Sequence, residues 1–401
     1  MKALLPKIKF KNFDEKWNRK KLHSIAPLRG GFAFKSEKFQ NTGIPVVRIS
    51  NIKFDGTVGG EFEYYSKIIP DEKFVLRGRS ILLAMSGATT GKIAMLDSEE
   101  EYYQNQRVGY FQNTGEVDYE FLSSVLQTKA FTNQLNAVLV AGAQPNISSK
   151  EIDSFGFYLP DSTEEQSAIG SLFRTLDDLL SNYKENLANY QSLKATMLSK
   201  MFPKAGQTVP EIRLDGFEGE WENKRADEIF KSVSEKNRAL LPVLSASQID
   251  GMVLRDEIGI DIKYDEATLN NYKLVKPGQF VIHLRSFQGG FALSKLEGIT
   301  SPAYTIIDFI DKENNLPDFW NSILTSRDFI KRLETVTYGI RDGKSISFKD
   351  FSSLKFVFPK FKEQQAIGAY FSNLDNLISA HQKKISQLET LKKKLLQDMF
   401  I

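Results

Sequence analysis

The chain has 401 residues, 41% of them hydrophobic and 26% charged, which is ordinary for a folded protein with room for two or more domains. Cysteine is absent, so disulfides and thiolate metal sites are excluded. No apolar run reaches the length of a membrane span, so no membrane association is expected, and the net charge of +3 is too small to argue for a polyanion partner unless the charge is local.

In chain order, "MKALLPKIKFKNF" has too short and too interrupted an apolar stretch for a signal peptide, and a cytoplasmic location is expected. Lys2 to Lys21 holds eight Lys/Arg against Asp14 and Glu15: a solvated basic edge, or a source of phosphate contacts. Next come short β-branched and aromatic runs, "IPVVRISNI" and "SILLAMS", broken by Gly, Pro, Asn and Asp, which read as strands and loops. "MSGATTGKIAML" (85–96) resembles a phosphate-cradling loop only superficially. Its glycines are one residue too close, and Ile93 stands where a metal-binding hydroxyl is required. A strand–turn–strand that brings Thr89, Thr90 and Lys92 near a nucleic-acid backbone is the preferred reading. Residues 119–139 are expected to form one amphipathic helix.

Residues 165–202 read as a long helix. Ile169, Phe173, Leu176, Leu180, Tyr183, Leu187, Tyr190, Lys194, Met197 and Met201 step by fours and threes, the pattern of a coiled-coil seam. Ser162-x-x-Glu165 reads as a capping box in which the hydroxyl and the carboxylate both satisfy free amides. After the linker "PKAGQTV" the chain begins again. "PKIKFKNFDEKWNRKKLHSI" (6–25) matches "PEIRLDGFEGEWENKRADEI" (210–229), and "NISSKEIDSFGFYLP" (146–160) matches "SISFKDFSSLKFVFP" (345–359). Residues 165–202 align without a gap on 363–400, where the seam is Ile367, Phe371, Leu374, Ile378, His381, Ile385, Leu388, Lys392, Leu395 and Met399. One further amphipathic helix is expected over 317–336. The second long helix has Lys360 in place of Ser162, so its start depends on Pro359.

The chain is therefore a tandem duplication with a period near 200 residues, too long for a solenoid. The expected fold is α+β: two pseudo-symmetric mixed α/β domains, 1–160 and 204–359, separated by two long helices, 161–203 and 360–401. A compact second copy ends near its own start, so the helices should pair as an antiparallel coiled coil. Each would be about 57 Å long. Lys194 and Lys392 are either polar seam residues that fix register or, in the preferred reading, leave the seam to Leu193 and Leu391 while their ammonium heads extend to solvent. The middles, 30–145 and 231–344, share a strand–turn frame but not its side chains, which suits two readers of two different things.

The duplicated "EQ-x-A-I-G" helix starts (Glu165–Gly170 and Glu363–Gly368), each after a strand ending in Pro, carry a resemblance over essentially the whole length. So do "PVVRISNI", "ILLAMSGATTGKIAML", "NQRV" (105–108) and "GAQPNIS" (142–148). The chain resembles the DNA-specificity subunit of Type I restriction–modification enzymes, and departs from it at "SFQGGFA" and "GIRDGKSIS" in the second copy. The resemblance implies two target recognition domains that read the two halves of a bipartite, asymmetric sequence on double-stranded DNA. The helices would set the spacer and dock two methyltransferase subunits. It also implies a non-catalytic chain with no cofactor of its own. S-adenosylmethionine would belong to the methyltransferase, and ATP and magnesium to the restriction/motor subunits.

The residues agree with a non-catalytic reading. No N/D-P-P-Y/F tetrapeptide is present. His23, His283 and His381 have no ligand spacing, and "PDEK" (70–73) reads as a surface turn. Arg, Asn and Gln read base edges, whereas Lys, Arg and hydroxyls hold phosphates. Candidate DNA contacts in the first copy are Arg48, Asn51, Thr89, Thr90, Lys92, Asn105, Gln106, Arg107, Gln144 and Asn146. In the second copy they are Gln248, Arg285, Gln288, Arg341 and Lys344. One alternative is a coiled-coil scaffold holding two partner proteins, separated from this reading by salt-dependent DNA binding. Another is an enzyme with a degenerate nucleotide loop, separated by ATP binding.

Overall fold

A computed structural model of the chain describes residues 6–141, 146–247, 250–258, 266–282, 290–336 and 347–401. It divides into two compact units: 1–184 with 383–401, and 185–382. In the first unit the strands are β1 Asn18–Lys21, β2 Leu28–Gly30, β3 Ile44–Val47, β4 Glu63–Tyr65, β5 Val75–Leu76, β6 Ser80–Ala84, β7 Ile93–Leu96, β8 Tyr102–Gln104, β9 Val108–Phe111 and β10 Gly156–Leu159. Its helices are α1 Leu22–Ile25, α2 Tyr119–Val125, α3 Lys129–Ala141, α4 Ser149–Asp153 and the first part of α5 Thr163–Lys200. An antiparallel sheet runs β2-β9-β6-β7, a mixed one runs β4-β3-β8-β5 with β3 and β8 parallel, and β1 pairs with β10. The run "SILLA" makes β6 central and wholly buried. Ile81 and Leu83 enter the core shared with the helices, while Leu82 and Ala84 enter a second core on the other face.

The second unit repeats this frame with β11 Glu222–Arg225, β12 Phe230–Val233, β13 Leu244–Ser247, β14 Gly251–Leu254, β15 Lys273–Val275, β16 Phe280–Ile282, β17 Phe291–Leu293, β18 Gly298–Thr300, β19 Thr305–Phe309 and β20 Lys355–Phe358. Its helices are α6 Ala226–Ile229, α7 Pro317–Leu324, α8 Arg327–Val336, α9 Phe348–Ser352 and the first part of α10 Phe361–Asp398. The sheet β12-β19-β16-β17 matches β2-β9-β6-β7, and β11–β20 matches β1–β10.

The helices expected over 119–139 and 317–336 are each broken in two. Thr128 and Ser326 stand at the breaks and cap the second piece: the Phe131 amide donates to Thr128 Oγ1 at 3.4 Å, and the Phe329 amide to Ser326 Oγ at 3.2 Å. A hydroxyl that binds a nearby amide ends one helix and starts another.

Both long helices form, and within each unit they run antiparallel. In the first unit Phe173 lies 5.7 Å from Phe400, Asp177 pairs with Lys392, and Lys184 meets Glu389 at 2.8 Å. In the second, Phe202 lies 5.9 Å from Phe371, Lys194 pairs with Asp375, and Tyr190 packs edge-on to His381 at 5.1 Å. Of the expected seam, Phe173, Leu176, Leu180, Phe371, Leu374 and Leu388 are buried, and Tyr183, Leu187, Tyr190, Ile378, His381 and Ile385 are half-buried. Each unit's core thus combines the start of one long helix with the end of the other.

The seam corrects one expectation. Leu193 and Leu391 are 43% and 45% exposed, so they do not displace the lysines. Lys194 and Lys392 stay at the pairing face because each finds a carboxylate on the facing helix, and Lys392 also donates to Gln127 Oε1 at 2.5 Å. Asp177 and Asp375 are equivalent positions of the repeat, so both halves use the same charged pair. A polar pair in a seam favours one register over its neighbours.

Candidate nucleic-acid interface

The "MSGATTGK" segment is the turn of the β6–β7 hairpin, with Leu83 opposite Ile93. Gly87 and Gly91 have φ of +80° and +83°, and a Cβ on Gly91 would lie 2.6 Å from Leu135 of α3. The turn consumes its own amides. Thr90 N donates to Gly87 O at 3.1 Å, Gly91 N to Ala84 O at 2.8 Å, and Lys92 N to Thr89 O at 2.9 Å. A phosphate cradle needs such amides free and a helix following; here three of them, at Thr90, Gly91 and Lys92, are spent and a strand follows.

Three other segments gather at this turn. The Met85 amide donates to Arg107 O (2.9 Å), the Ile147 amide to Met85 O (3.0 Å), and Thr89 Oγ1 to Ile49 O (3.2 Å). Segments 48–58, 86–92, 105–107 and 146–147 therefore meet at one end of the hairpin. Lys92, Gln106, Arg107 and Asn146 are exposed there, and Thr89, Thr90, Asn105 and Arg48 are half-exposed. Thr90 Oγ1 donates to Gly87 O at 2.6 Å, so its hydroxyl keeps only acceptor capacity. Asn105 accepts from the Arg107 amide at 3.3 Å and shapes the turn that turns Gln106 and Arg107 outward.

Two candidates are committed elsewhere. Asn51 is 1% exposed. Its carboxamide accepts from the Arg48 amide (3.0 Å) and donates to Gly59 O (3.3 Å) and Glu61 O (2.9 Å), so it ties the 48–61 loop and reads nothing outside it. The Arg48 guanidinium lies 3.5 Å from Glu63 and against the Phe39 ring. Gln144, Gln248, Arg285, Gln288, Arg341 and Lys344 lie outside the described residues. In the second unit β16 and β17 pair antiparallel at the matching place, and Leu244–Ser247 is strand β13.

Sequence reasoning passed over Phe54, which is 74% exposed at the tip of the 53–56 turn with Lys92 Nζ 4.9 Å from its ring centroid. The signal was an aromatic residue directly before Asp-Gly, a place where turns carry polar residues. Asp55 beside it is held below the usual carboxylate range, first by the Thr57 hydroxyl and further by Lys184 of α5. Among the described residues no group of three acidic or histidine side chains could hold a metal ion, and no helix is long and apolar enough to cross a membrane.

The sequence profile described as the Type I restriction modification DNA specificity domain matches residues 14–190 and again 218–390. The chain belongs to that specificity family. It is 26% identical over 196 residues to the Type I restriction enzyme MjaVIII specificity subunit of Methanocaldococcus jannaschii, a match spanning 46% of this chain and 45% of that relative. Its fold resembles the crystal structure of the Type-I restriction-modification system S subunit from M. genitalium, with TM-score 0.64, 16% identity and 99% of each chain covered. The HsdS subunit of Thermoanaerobacter tengcongensis superposes less closely, at TM-score 0.41, 18% identity and 96% of each chain.

The repeated Glu-Gln-x-Ala-Ile-Gly signature has a mechanical meaning in this specificity-family chain. Gln166 accepts from the Asp118 amide at 2.9 Å and donates to Pro160 O at 2.8 Å; Gln364 does the same with Leu316 (3.0 Å) and Pro359 (2.9 Å). A Cβ on Gly170 would stand 2.5 Å from the Phe121 amide nitrogen, so glycine lets α2 touch the long helix. The signature joins helix to domain. The Ser162 hydroxyl caps α5 by accepting from the Glu165 amide at 3.1 Å, as expected, but the Glu165 carboxylate does not fold back onto the cap. It is buried against Trp17, accepting from Nε1 at 3.2 Å, with Oε2 unpaired.

Burial raises the Glu165 pKa above its ordinary 4.5. The folded state therefore holds this proton more tightly than the unfolded one, and its contribution to stability falls as pH rises past 4.5. Glu165→Gln keeps the Trp17 bond and removes that loss. The variant is expected to melt higher than wild type at pH 7, with the difference vanishing near pH 4. A lower melting temperature at pH 7 would count against this account.

Proposed function

We propose that this chain is the non-catalytic DNA-reading subunit of a Type I restriction–modification assembly. Each unit reads one half of a bipartite, asymmetric target, and the paired helices set the spacer and dock two methyltransferase subunits. S-adenosylmethionine belongs to those subunits, and ATP and magnesium to the restriction/motor subunits. The observation that carries the reading is the hairpin end in the first unit. Its Thr90, Gly91 and Lys92 amides are internally bonded, while the Lys92, Gln106 and Arg107 side chains stand exposed around it. The second unit has the matching antiparallel pair β16–β17 with a different sequence between its strands, as two readers of different half-sites require.

Lys92 suits a phosphate contact that fixes register, whereas the Thr89 and Thr90 hydroxyls already donate to Ile49 O and Gly87 O and serve the turn. Gln106 and Arg107 suit base edges, since a carboxamide pairs with adenine and a guanidinium with guanine. Leu179, Leu193, Leu377 and Leu391 are 40–45% exposed on the long helices and recur at equivalent positions of the two copies, which fits docking of two like partners.

Methylation mapping in a cell that carries this chain with its methyltransferase tests the reading. Modified adenines should fall in one two-part sequence with a constant gap, and a contiguous motif would overturn it. Lys92→Ala should weaken binding to all duplexes about equally and reduce the slope of log K against log salt by about 1. Relaxed preference at a single base position would contradict the phosphate role.

A further inference from the structure

Phe54 is the most prominent feature of the hairpin end that phosphate and hydrogen-bond contacts leave unexplained. Its base is stiff. Ile52 is fully buried in the second core of the first unit, and Val58 packs against that core opposite it. The Lys53 amide donates to Thr57 O at 3.0 Å, and the Met95 amide of β7 donates to Gly56 O at 3.0 Å. Asp55 Oδ1 accepts from both the amide (3.0 Å) and the hydroxyl (2.7 Å) of Thr57. The tip is a closed, multiply bonded turn that holds a phenyl ring out in water.

The ring's neighbours in the turn, Lys53 and Asp55, are both charged. Lys92 places a positive charge on one face of the ring, at 4.9 Å. An aromatic ring beside a cation, presented rigidly, matches a polyanion that carries flat apolar faces. Bases stack on aromatic side chains, and apolar wedges enter base steps while nearby cations hold the phosphates.

Resting on the DNA-reading function above, we propose that Phe54 is a stacking wedge: its ring enters the base stack of one half-site while Lys92 moves from the ring to the adjacent phosphate. Rigid presentation lowers the ordering cost of the contact. The step it enters is then selected by how easily it unstacks, so Phe54 contributes specificity without a hydrogen bond to any base.

The test uses the full chain assembled with its methyltransferase, and a duplex of the sequence found by methylation mapping. 2-Aminopurine replaces one base at a time across both half-sites. Away from the modified adenines, which a methyltransferase extrudes itself, wild type should raise the fluorescence at one step, and Phe54→Ala should abolish that rise and weaken binding by about tenfold to a hundredfold. Phe54→Trp should restore the affinity. Because the ring is exposed, the alanine variant should melt as wild type does. Unchanged fluorescence and affinity in Phe54→Ala would overturn the proposal, as would weaker binding with no fluorescence rise in wild type at any position away from those adenines. Loss of methyltransferase assembly in Phe54→Ala would overturn it in favour of a protein contact. If the wild-type assembly bound no DNA, the DNA-reading function itself would fail, and the two failures are thereby distinct.

Discussion

Arg213→Ala is expected to destabilise the second unit by about 3–5 kcal/mol, the cost of leaving one member of a buried ion pair alone. Arg213 forks onto both oxygens of Glu363, at 2.8 and 2.7 Å, and also donates to Gly219 O and Glu218 O. The side chains of Arg213 and Glu363 are only 15% and 4% exposed, so water cannot replace the lost partner. Lys9 occupies the matching place in the first copy, but it pairs with the exposed Asp14 rather than with Glu165. Lys9→Ala should therefore cost less than about 1 kcal/mol. Denaturation followed by tryptophan fluorescence separates the two, since Trp221 and Trp320 belong to the second unit and Trp17 to the first. Equal losses for the two variants would refute the asymmetry.

Inserting seven residues into both long helices, after Lys184 and after Gln382, is expected to abolish modification at the original spacing. Sites with a spacer longer by about three base pairs should be modified instead. The insertion adds about 10.5 Å of helix, and base pairs stack at about 3.4 Å. These points lie between the charged pairs, so Asp177–Lys392 and Lys194–Asp375 both stay intact. A heptad also keeps the apolar stripe in phase. Methylation mapping reads the result, and an unchanged spacer would remove the helices from the role of ruler.

What could be read from the sequence follows from where each signal resides. The duplication and the long helices were legible because periodicity is carried by many residues at once, so a few exceptions do not hide it. Strand pairing was not. β3 lies parallel to β8 across more than fifty residues of chain, and nothing local to "IPVV" or "YYQ" specifies that partner. The breaks at Thr128 and Ser326 were hidden because a single hydroxyl decides them inside an otherwise continuous apolar stripe. Lys194 and Lys392 were misjudged because their carboxylates lie on the facing helix, about 180 and 215 positions away in sequence. Of the candidate contacts, Asn51 looked available only because its three loop bonds come from residues a sequence cannot place around it. Lys92, Gln106 and Arg107 are candidates by residue type in turns, and that criterion leaves out Phe54.

The two glutamines of the repeated signature touch the domains they secure through main-chain atoms alone: an amide at a helix start and a proline carbonyl. The glutamines' share of the joint does not depend on side-chain identity on the far side, whereas that of the neighbouring glutamates, bound to Trp17 and Arg213, does. A domain of different surface sequence would meet the same two main-chain partners at the start of the long helix, so the attachment and the surface can vary independently.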